Sequence, residues 1–226
     1  MINKIFASAE AALADVPDRA TVMIGGFGNA GMPAQLIDCL IAQGATDLTI
    51  VNNNAGNADA GLAALIGAGR VRRILCSFPR QADSWHFEKM YRAGKLELEL
   101  VPQGTLAERI RAAGAGIGAF FTPTAFGTRL AEGKETRHIN GRDYVLEFPI
   151  HADYALIKAD RADRWGNLTY RMTARNFGPI MAAAAKCTVV QVREAVQLGE
   201  LDPEQVVTPG IFVKRVVRIS PLRKVA

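Results

Sequence analysis

One stretch constrains the fold more than any other: Val22-Met23-Ile24-Gly25-Gly26-Phe27-Gly28-Asn29-Ala30-Gly31-Met32-Pro33. Three apolar residues run into a glycine-dense turn, and Pro33 then opens an apolar-periodic run through residue 41. This reads as strand, tight turn, helix, because proline suits the first helical turn, where its missing N–H has no partner to lose. Gly25, Gly26, Gly28 and Gly31 permit positive φ and let a ligand approach bare backbone. The N–H groups of such a turn and of the helix start point outward and favour negative charge: a phosphate, a carboxylate or a developing oxyanion.

Gly26-x-Gly28-x-x-Gly31 also matches the dinucleotide fingerprint. That fingerprint needs an acidic residue about 20 positions on, at the end of the next strand, to hold a ribose hydroxyl. The next strand, 48–51, ends instead in Asn52-Asn53-Asn54, and Asp47 precedes it at the wrong end. The nicotinamide reading is demoted on that ground. An anion or oxyanion cradle is preferred to it and to a plain structural turn.

The rest of the first half repeats the alternation. A helix is expected over 3–15, with Ile5, Ala9, Ala12 and Leu13 on one face, and another over 33–43, stopped by Gly44 at C′. Strand 48–51 is nearly all apolar, as in a parallel strand covered on both faces. A helix through 62–66, strand 71–76, a helix over 84–93 capped by Asp83, and strand 96–101 follow. Thr105-x-x-Glu108 reads as a capping box opening a helix over 106–113, and strand 119–121 comes next. Alternating β and α segments on short glycine-bearing loops imply an α/β fold with a mostly parallel sheet flanked by helices.

After Pro123 the pattern turns β-rich. Asn140-Gly141 is a type I′ hairpin signal. Strands are expected at 153–158 and 168–171 around Gly166-Asn167, then a short helix at 179–185 and strands at 188–192 and 212–217. Arg215 and Arg218 alternate with apolar residues as on an edge strand with a solvated face. A chain of 226 residues is read as one domain with a β-rich second half.

Cys39, Cys76 and Cys187 form no C-x-x-C pair and sit in apolar stretches, so buried thiols are expected rather than disulfides or a zinc site. His86, His138 and His151 have no metal-ligand spacing. No apolar run reaches the ~18–20 residues of a membrane span, and the N-terminus lacks a signal-peptide core, so the cytoplasm is expected. The net charge of +5 comes partly from Arg70, Arg72 and Arg73 and from a basic C-terminus of Lys214, Arg215, Arg218, Arg223 and Lys224. No recognition helix or aromatic platform accompanies it, so nucleic acid is not the expected partner. Positive charge also suits anionic substrates and coenzyme phosphates.

Asp18, then Thr21-Val22-Met23-Ile24-Gly25-Gly26-Phe27 and Gly31-x-Pro33, resemble the signature of the A-type subunit of the 3-oxoacid CoA-transferases. The blocks Asn52-Asn53-Asn54-Ala55-Gly56-Asn57, Val101-Pro102-Gln103-Gly104-Thr105-Leu106-Ala107-Glu108-Arg109 and Ala174-Arg175-Asn176-Phe177 are similar to family blocks and fall in family order. Ser77-Phe78-Pro79-Arg80-Gln81 and residues 163–171 most resemble the members that act on 3-oxoadipate, as does Asn176-Phe177-Gly178-Pro179. Ala125 and Phe126 depart from the family's usual Gly and Tyr, which bears on substrate preference.

The resemblance implies the CoA-transferase fold and CoA transfer from succinyl-CoA to 3-oxoadipate, in aromatic-compound catabolism. An acetoacetate-type 3-oxoacid transferase is the alternative within the family, and a non-catalytic acyl-CoA-binding module the alternative outside it. It further implies no tightly bound cofactor, CoA thioesters as substrates, and a second, different subunit in an A2B2 heterotetramer. The family's nucleophilic glutamate lies in a Ser-Glu-Asn-Gly-like stretch of that partner. No glutamate of this chain is followed by Asn-Gly, so the chain is expected to supply a half-site without the nucleophile. CoA contact falls by resemblance on Ile24, Gly25, Gly26, Phe27, Gly28, Asn29 and Ala30, with the N–H groups of Gly25, Gly26 and Phe27 as oxyanion donors. Gly26→Val is expected to abolish turnover and leave the fold intact.

Substrate contact is expected from Asn52, Asn53 and Gln103, because ligands of α/β sheets sit beyond the carboxyl ends of the strands and amides orient a carbonyl without titrating. Local turn bonding is the competing role for the asparagines. Arg80 is a candidate for the acceptor's remote carboxylate, against a plain solvated arginine.

Overall fold

The computed structural model describes residues 2–219. Arg223 and Lys224 of the basic C-terminal run lie outside the described residues. The main sheet has the order β1 (Ile5–Phe6), β12 (Arg215–Arg218), β11 (Ala185–Val196), β9 (Ala152–Asp163), β2 (Thr21–Ile24), β3 (Leu48–Val51), β4 (Val71–Cys76), β5 (Glu97–Leu100). Every neighbouring pair along it is parallel; β10 (Leu168–Thr169) pairs antiparallel with β9. Five helices connect or cover these strands: α1 (Ala9–Leu13), α2 (Ala34–Gln43), α3 (Gly61–Gly67), α4 (Trp85–Arg92) and α5 (Gln103–Gly114). A sixth, α6 (Gly178–Ala184), leads directly into β11. No described helix is long and apolar enough to cross a membrane.

Both faces of the sheet are covered, which is why its central strands read as continuous apolar runs. Val22, Ile24, Ile50, Ile74 and Leu156 point to one layer with Leu13, Leu36, Leu40 and Leu65 of α1–α3. Met23, Val51, Leu75 and Ile157 point to the other, with Ile110 of α5 and Met181 of α6. The period of two separates the layers residue by residue. β9 and β11 are the longest strands, at 12 residues each, and β9 joins the first half of the chain, through β2, to the second, through β11.

The sheet of mostly parallel strands and the α2 stop at Gly44, in the left-handed region at φ 98°, match the sequence expectations. Asn140 and Gly141 have φ of 49° and 78° and join β7 (Thr136–Ile139) to β8 (Arg142–Glu147) in the expected hairpin. Several expectations are corrected. Residues 3–15 do not form one helix: Ile5 and Phe6 pair with Val216 and Val217, and α1 starts only after Ser8, whose hydroxyl accepts from the Ala11 N–H at 3.2 Å. Tertiary pairing at the sheet edge overrides the helical spacing. Consequently β12 is not an edge strand: it lies between β1 and β11, and Arg215 turns back to a bidentate pair with Asp15.

The cap before α4 is Ser84, not Asp83; Asp83 instead gives its own N–H to Asn57 Oδ1 at 2.9 Å. Thr105 does not open α5, which begins two residues earlier; its hydroxyl is buried without a partner among the described residues, and Glu108 pairs with Arg111. The strand expected at 119–121 is β6 (Phe120–Thr122), and it belongs to a separate antiparallel sheet, β6-β8-β7, rather than to the parallel alternation.

Candidate functional site

The strands β2, β3 and β4 and the start of α5 deliver their following loops to one open cleft of about 1000 Å³. Phe27 and Gly28 come from the loop after β2, Asn53 and Asn54 from that after β3, Ser77, Phe78, Arg80 and Gln81 from that after β4, and Gln103 from the first residue of α5. This is the carboxyl end of a parallel sheet, where such folds place ligands.

The loops are braced to one another. The Asn53 carbonyl accepts from the N–H groups of Ser77 and Phe78, each at 3.1 Å. The Asn53 side-chain Oδ1 accepts from Ser77 Oγ and from Gln103 Nε2, each at 2.8 Å. Its Nδ2 has no partner among the described residues and Asn53 lines the cleft, so a donor is left for a ligand. Asn52 behaves differently. Its Nδ2 donates to the Ile24 carbonyl at 2.5 Å, its Oδ1 accepts from the Asn54 N–H at 2.9 Å, and its side chain is buried. Asn52 therefore pins the glycine loop to the asparagine loop and does not line the cleft; the local turn bonding that competes for asparagines takes it.

The glycine loop shows which of its residues face outward. Ile24 is fully buried, Gly25 and Gly26 are buried, and Phe27 is 52% exposed. Phe27 and Gly28 line the main cleft, Gly28 and Asn29 line a small pocket that shares Asn54 and Gln81 with it, and Ala30 lines a separate cleft with residues of β9 and β11. Of the three expected oxyanion donors, two are engaged. The Gly25 N–H donates to the Leu156 carbonyl at 2.9 Å, continuing the β2–β9 ladder, and the Phe27 N–H donates to the Ala30 carbonyl at 2.9 Å across a tight turn. The Gly26 N–H has no partner among the described residues. Gly26 also has φ 121°, and a Cβ there would meet the Met32 backbone at 3.1 Å. Gly26→Val would thus strain this turn, which corrects the expectation of an intact fold.

Arg80 sits on the cleft rim, 71% exposed, with its Nε 2.7 Å from Glu88 Oε1. No Asp, Glu or Cys is among the residues lining the cleft. The nearby Cys76 is no nucleophile: burial pushes its thiol up to about 12. Cys39 and Cys187 are half-buried rather than buried. Asn54, Ser77, Phe78 and Gln81 line the cleft as well; the sequence places the loops 52–54 and 78–81 after strands, where ligands gather, but gives these four side chains no role of their own.

A profile described as "Coenzyme A transferase" matches residues 6–218. This chain belongs to the coenzyme A transferase family. It is 67% identical over 220 residues to the A-type subunit of the 3-oxoadipate CoA-transferase of Pseudomonas putida, covering 97% of this chain and 95% of that one. It is 50% identical to the A-type subunit of the succinyl-CoA:3-ketoacid coenzyme A transferase of Xanthomonas campestris pv. campestris, covering 95% and 88%. Among solved structures, an acyl-CoA transferase of Escherichia coli O157:H7 in a thioester complex with CoA superposes with a TM-score of 0.83 at 22% identity, over 97% of this chain and 48% of that one. That likeness shows the fold: the transferase fold read from the sequence is the one observed. Relatives that are themselves named as A-type subunits imply a second, different subunit as partner.

Proposed function

We propose that this chain is the A-type subunit of a 3-oxoadipate CoA-transferase, moving CoA from succinyl-CoA to 3-oxoadipate. The observation that carries the reading is the 67% identity to a 3-oxoadipate transferase subunit along nearly its whole length, against 50% for the succinyl-CoA:3-ketoacid one. The chain is a half-site in an A2B2 assembly. The cleft supports this: it offers neutral donors and one rim cation but no carboxylate.

In the reaction, a carboxylate of the partner attacks the thioester carbonyl, expels the CoA thiolate and forms an anhydride. The thiolate then attacks the enzyme's own acyl carbon, releasing succinate and leaving a glutamyl-CoA thioester, and the acceptor carboxylate reverses the sequence. Each attack puts negative charge on a carbonyl oxygen. The Gly26 N–H and Asn53 Nδ2 are fixed donors suited to it; one such donor is worth roughly 2.7–4 kcal/mol. Arg80 suits the remote carboxylate that 3-oxoadipate has and acetoacetate lacks, once it exchanges Glu88 for substrate. No tightly bound cofactor is required; CoA thioesters are the substrates.

The test is co-expression with a partner subunit, followed by assay of succinyl-CoA with each acceptor. Faster transfer to 3-oxoadipate, with a CoA adduct on a glutamate of the partner, supports the reading. Preference for acetoacetate moves the chain to the 3-ketoacid type, and CoA binding without transfer makes it a binding module.

A further inference from the structure

The outer turn of the glycine loop is held from far along the chain. Phe27 and Ala30 close it with two backbone bonds, the Phe27 N–H to the Ala30 carbonyl at 2.9 Å and the Ala30 N–H to the Phe27 carbonyl at 3.2 Å. The Ala30 carbonyl accepts a second bond, from Asn176 Nδ2, also at 2.9 Å and across 146 positions of sequence. Among the described residues no other hydrogen bond ties residues 27–30 to a part of the molecule outside the loop. Gly31, where the loop turns back, has φ 76°, and a Cβ there would meet the Ala174 carbonyl oxygen at 2.6 Å and Asn176 Nδ2 at 3.0 Å. A glycine at this position is what lets the two segments approach so closely.

Asn176 is itself firmly placed. Its Nδ2 donates to the Thr173 carbonyl at 2.7 Å as well as to Ala30, and its Oδ1 accepts from the Phe177 N–H at 2.7 Å. Both donor hydrogens of the amide are thus in use. The segment that carries it is fixed on either side. Phe177 and Met181 are buried in the layer shared with α5. Tyr170 bonds Thr208 at 2.8 Å, and its ring lies against Gly178, where a Cβ would meet it at 3.1 Å. The consequence falls on Gly26. The peptide that carries the Gly26 N–H lies between two fixed ones, that of the Gly25 N–H on Leu156 and that of the Phe27 N–H on Ala30. The second anchor is only as firm as the Ala30 carbonyl, and Asn176 holds that carbonyl.

Resting on the coenzyme-transfer reading above, we infer that Asn176 is a positioning residue for the transfer: its amide clamps the Ala30 carbonyl so that the Gly26 N–H keeps its direction as charge develops on the thioester oxygen. Asn176 does not line the cleft and acts through the loop alone. A donor aimed in advance has no reorganising to do during the reaction. A misplacement of about 1 Å, caused far from the chemistry, can lower a rate roughly a hundredfold. A clamp of this kind serves the transition state and leaves ground-state binding of the thioester as it is, so it is read in kcat and not in KM.

The experiment uses the complex of this chain with its partner subunit, native and with Asn176→Asp or Asn176→Ala. Aspartate keeps the shape of the side chain and the acceptor for the Phe177 N–H, but turns an oxygen toward the Ala30 and Thr173 carbonyls in place of the two hydrogens. Steady-state rates with succinyl-CoA, thermal melts and amide hydrogen exchange are measured on each. Asn176→Asp should lower kcat roughly ten- to a hundredfold and keep KM for succinyl-CoA within about twofold. Exchange over residues 27–32 should quicken about tenfold, with β3 and β9 as in the native complex. Asn176→Ala, which loses the donor without adding repulsion, should fall between the two. A rate loss no larger than the melt accounts for, a raised KM at native kcat, or exchange that quickens throughout the chain overturns the inference. So does native behaviour in both variants. A native complex that transfers no CoA, while Asn176→Asp still loosens residues 27–32 alone, removes the transferase reading and leaves the clamp standing.

Discussion

Around Asn53 the polar side chains are neutral and partly unengaged; around Arg109 they are charged and paired throughout. Arg109, on α5 two turns after Gln103, donates Nη1 to Glu99 at 2.9 Å and Nε to the Phe148 carbonyl at 2.7 Å. Glu99 also takes Arg73 of β4, and the buried Glu147 of β8 takes Lys134 at 2.6 Å, with Arg109 3.7 Å away. This network fastens the β6-β8-β7 sheet to the main sheet. The cleft, a few residues along the same helix, keeps donors in reserve and carries no acid. A region that must receive charge is built from groups that do not titrate, whereas a region that must hold shape can consume its charges internally.

The contrast predicts that the two regions fail differently. Arg109→Ala should have the largest effect on stability, about 2–3 kcal/mol, because it removes the cation shared by Glu99 and the buried Glu147 and leaves each with one partner, Arg73 and Lys134. Thermal or urea melts would measure it. Turnover per folded molecule, in the two-subunit complex at low temperature, should stay near native; a turnover loss larger than the melt explains would erase the distinction. Acid sensitivity should change as well. Burial pushes Glu99 up, but Arg109 and Arg73 outweigh it and hold the group below its ordinary 4.5. A carboxylate depressed on folding stabilises above its unfolded value and loses that contribution as pH falls through the lower folded one. Arg109→Ala should therefore move the acid-unfolding midpoint upward.

Gly26→Val should do the reverse. Holding a β-branched residue at φ 121° costs on the order of 1–3 kcal/mol, but crowding Met32 displaces the one of the three expected oxyanion donors that is unengaged among the described residues. Activity should fall by roughly a hundredfold or more, beyond what the melting shift accounts for. Activity lost only in proportion to unfolding would count against Gly26 as a donor. Next is Arg80→Gln, which should raise KM for a dicarboxylate acceptor about tenfold and leave acetoacetate unchanged; equal effects on both would take Arg80 out of the site. The smallest effect belongs to Thr105→Val, on α5 between the two regions. It removes a buried hydroxyl with no partner seen, so stability should be unchanged or raised by up to about 1 kcal/mol, while a clear loss would reveal a partner such as an ordered water.

The strands and glycine loops of the first half were readable because each local signal agrees with its place in a sheet buried on both faces. Gly44 stops α2, and Leu48–Val51 is apolar on both sides. What escaped was set by distant parts of the chain. Ile5 and Phe6 look helical until Val216 and Val217 come to lie beside them. Phe120–Thr122 continues the alternation in sequence yet pairs with β8. Asn52 and Asn53 are adjacent and alike in type; only the positions of Ile24 on one side and Gln103 on the other make the first a brace and the second a cleft residue. The same holds for Gly25, whose donor is taken by Leu156.

That last bond has a temporal side. Thr21, at the start of β2, is tied by its N–H to Asp153, 132 residues further on, and β2 gains its second neighbour only when β9 exists. On a ribosome working from the N-terminus, the flank of β2 stays bare while roughly 130 residues are added, at ~5–20 per second, with its ladder groups open to any passing strand. The glycine loop cannot take its working shape before Leu156 emerges. Chaperone demand, and the failure of any fragment ending before residue 156 to bind a coenzyme, would both follow from that order of assembly.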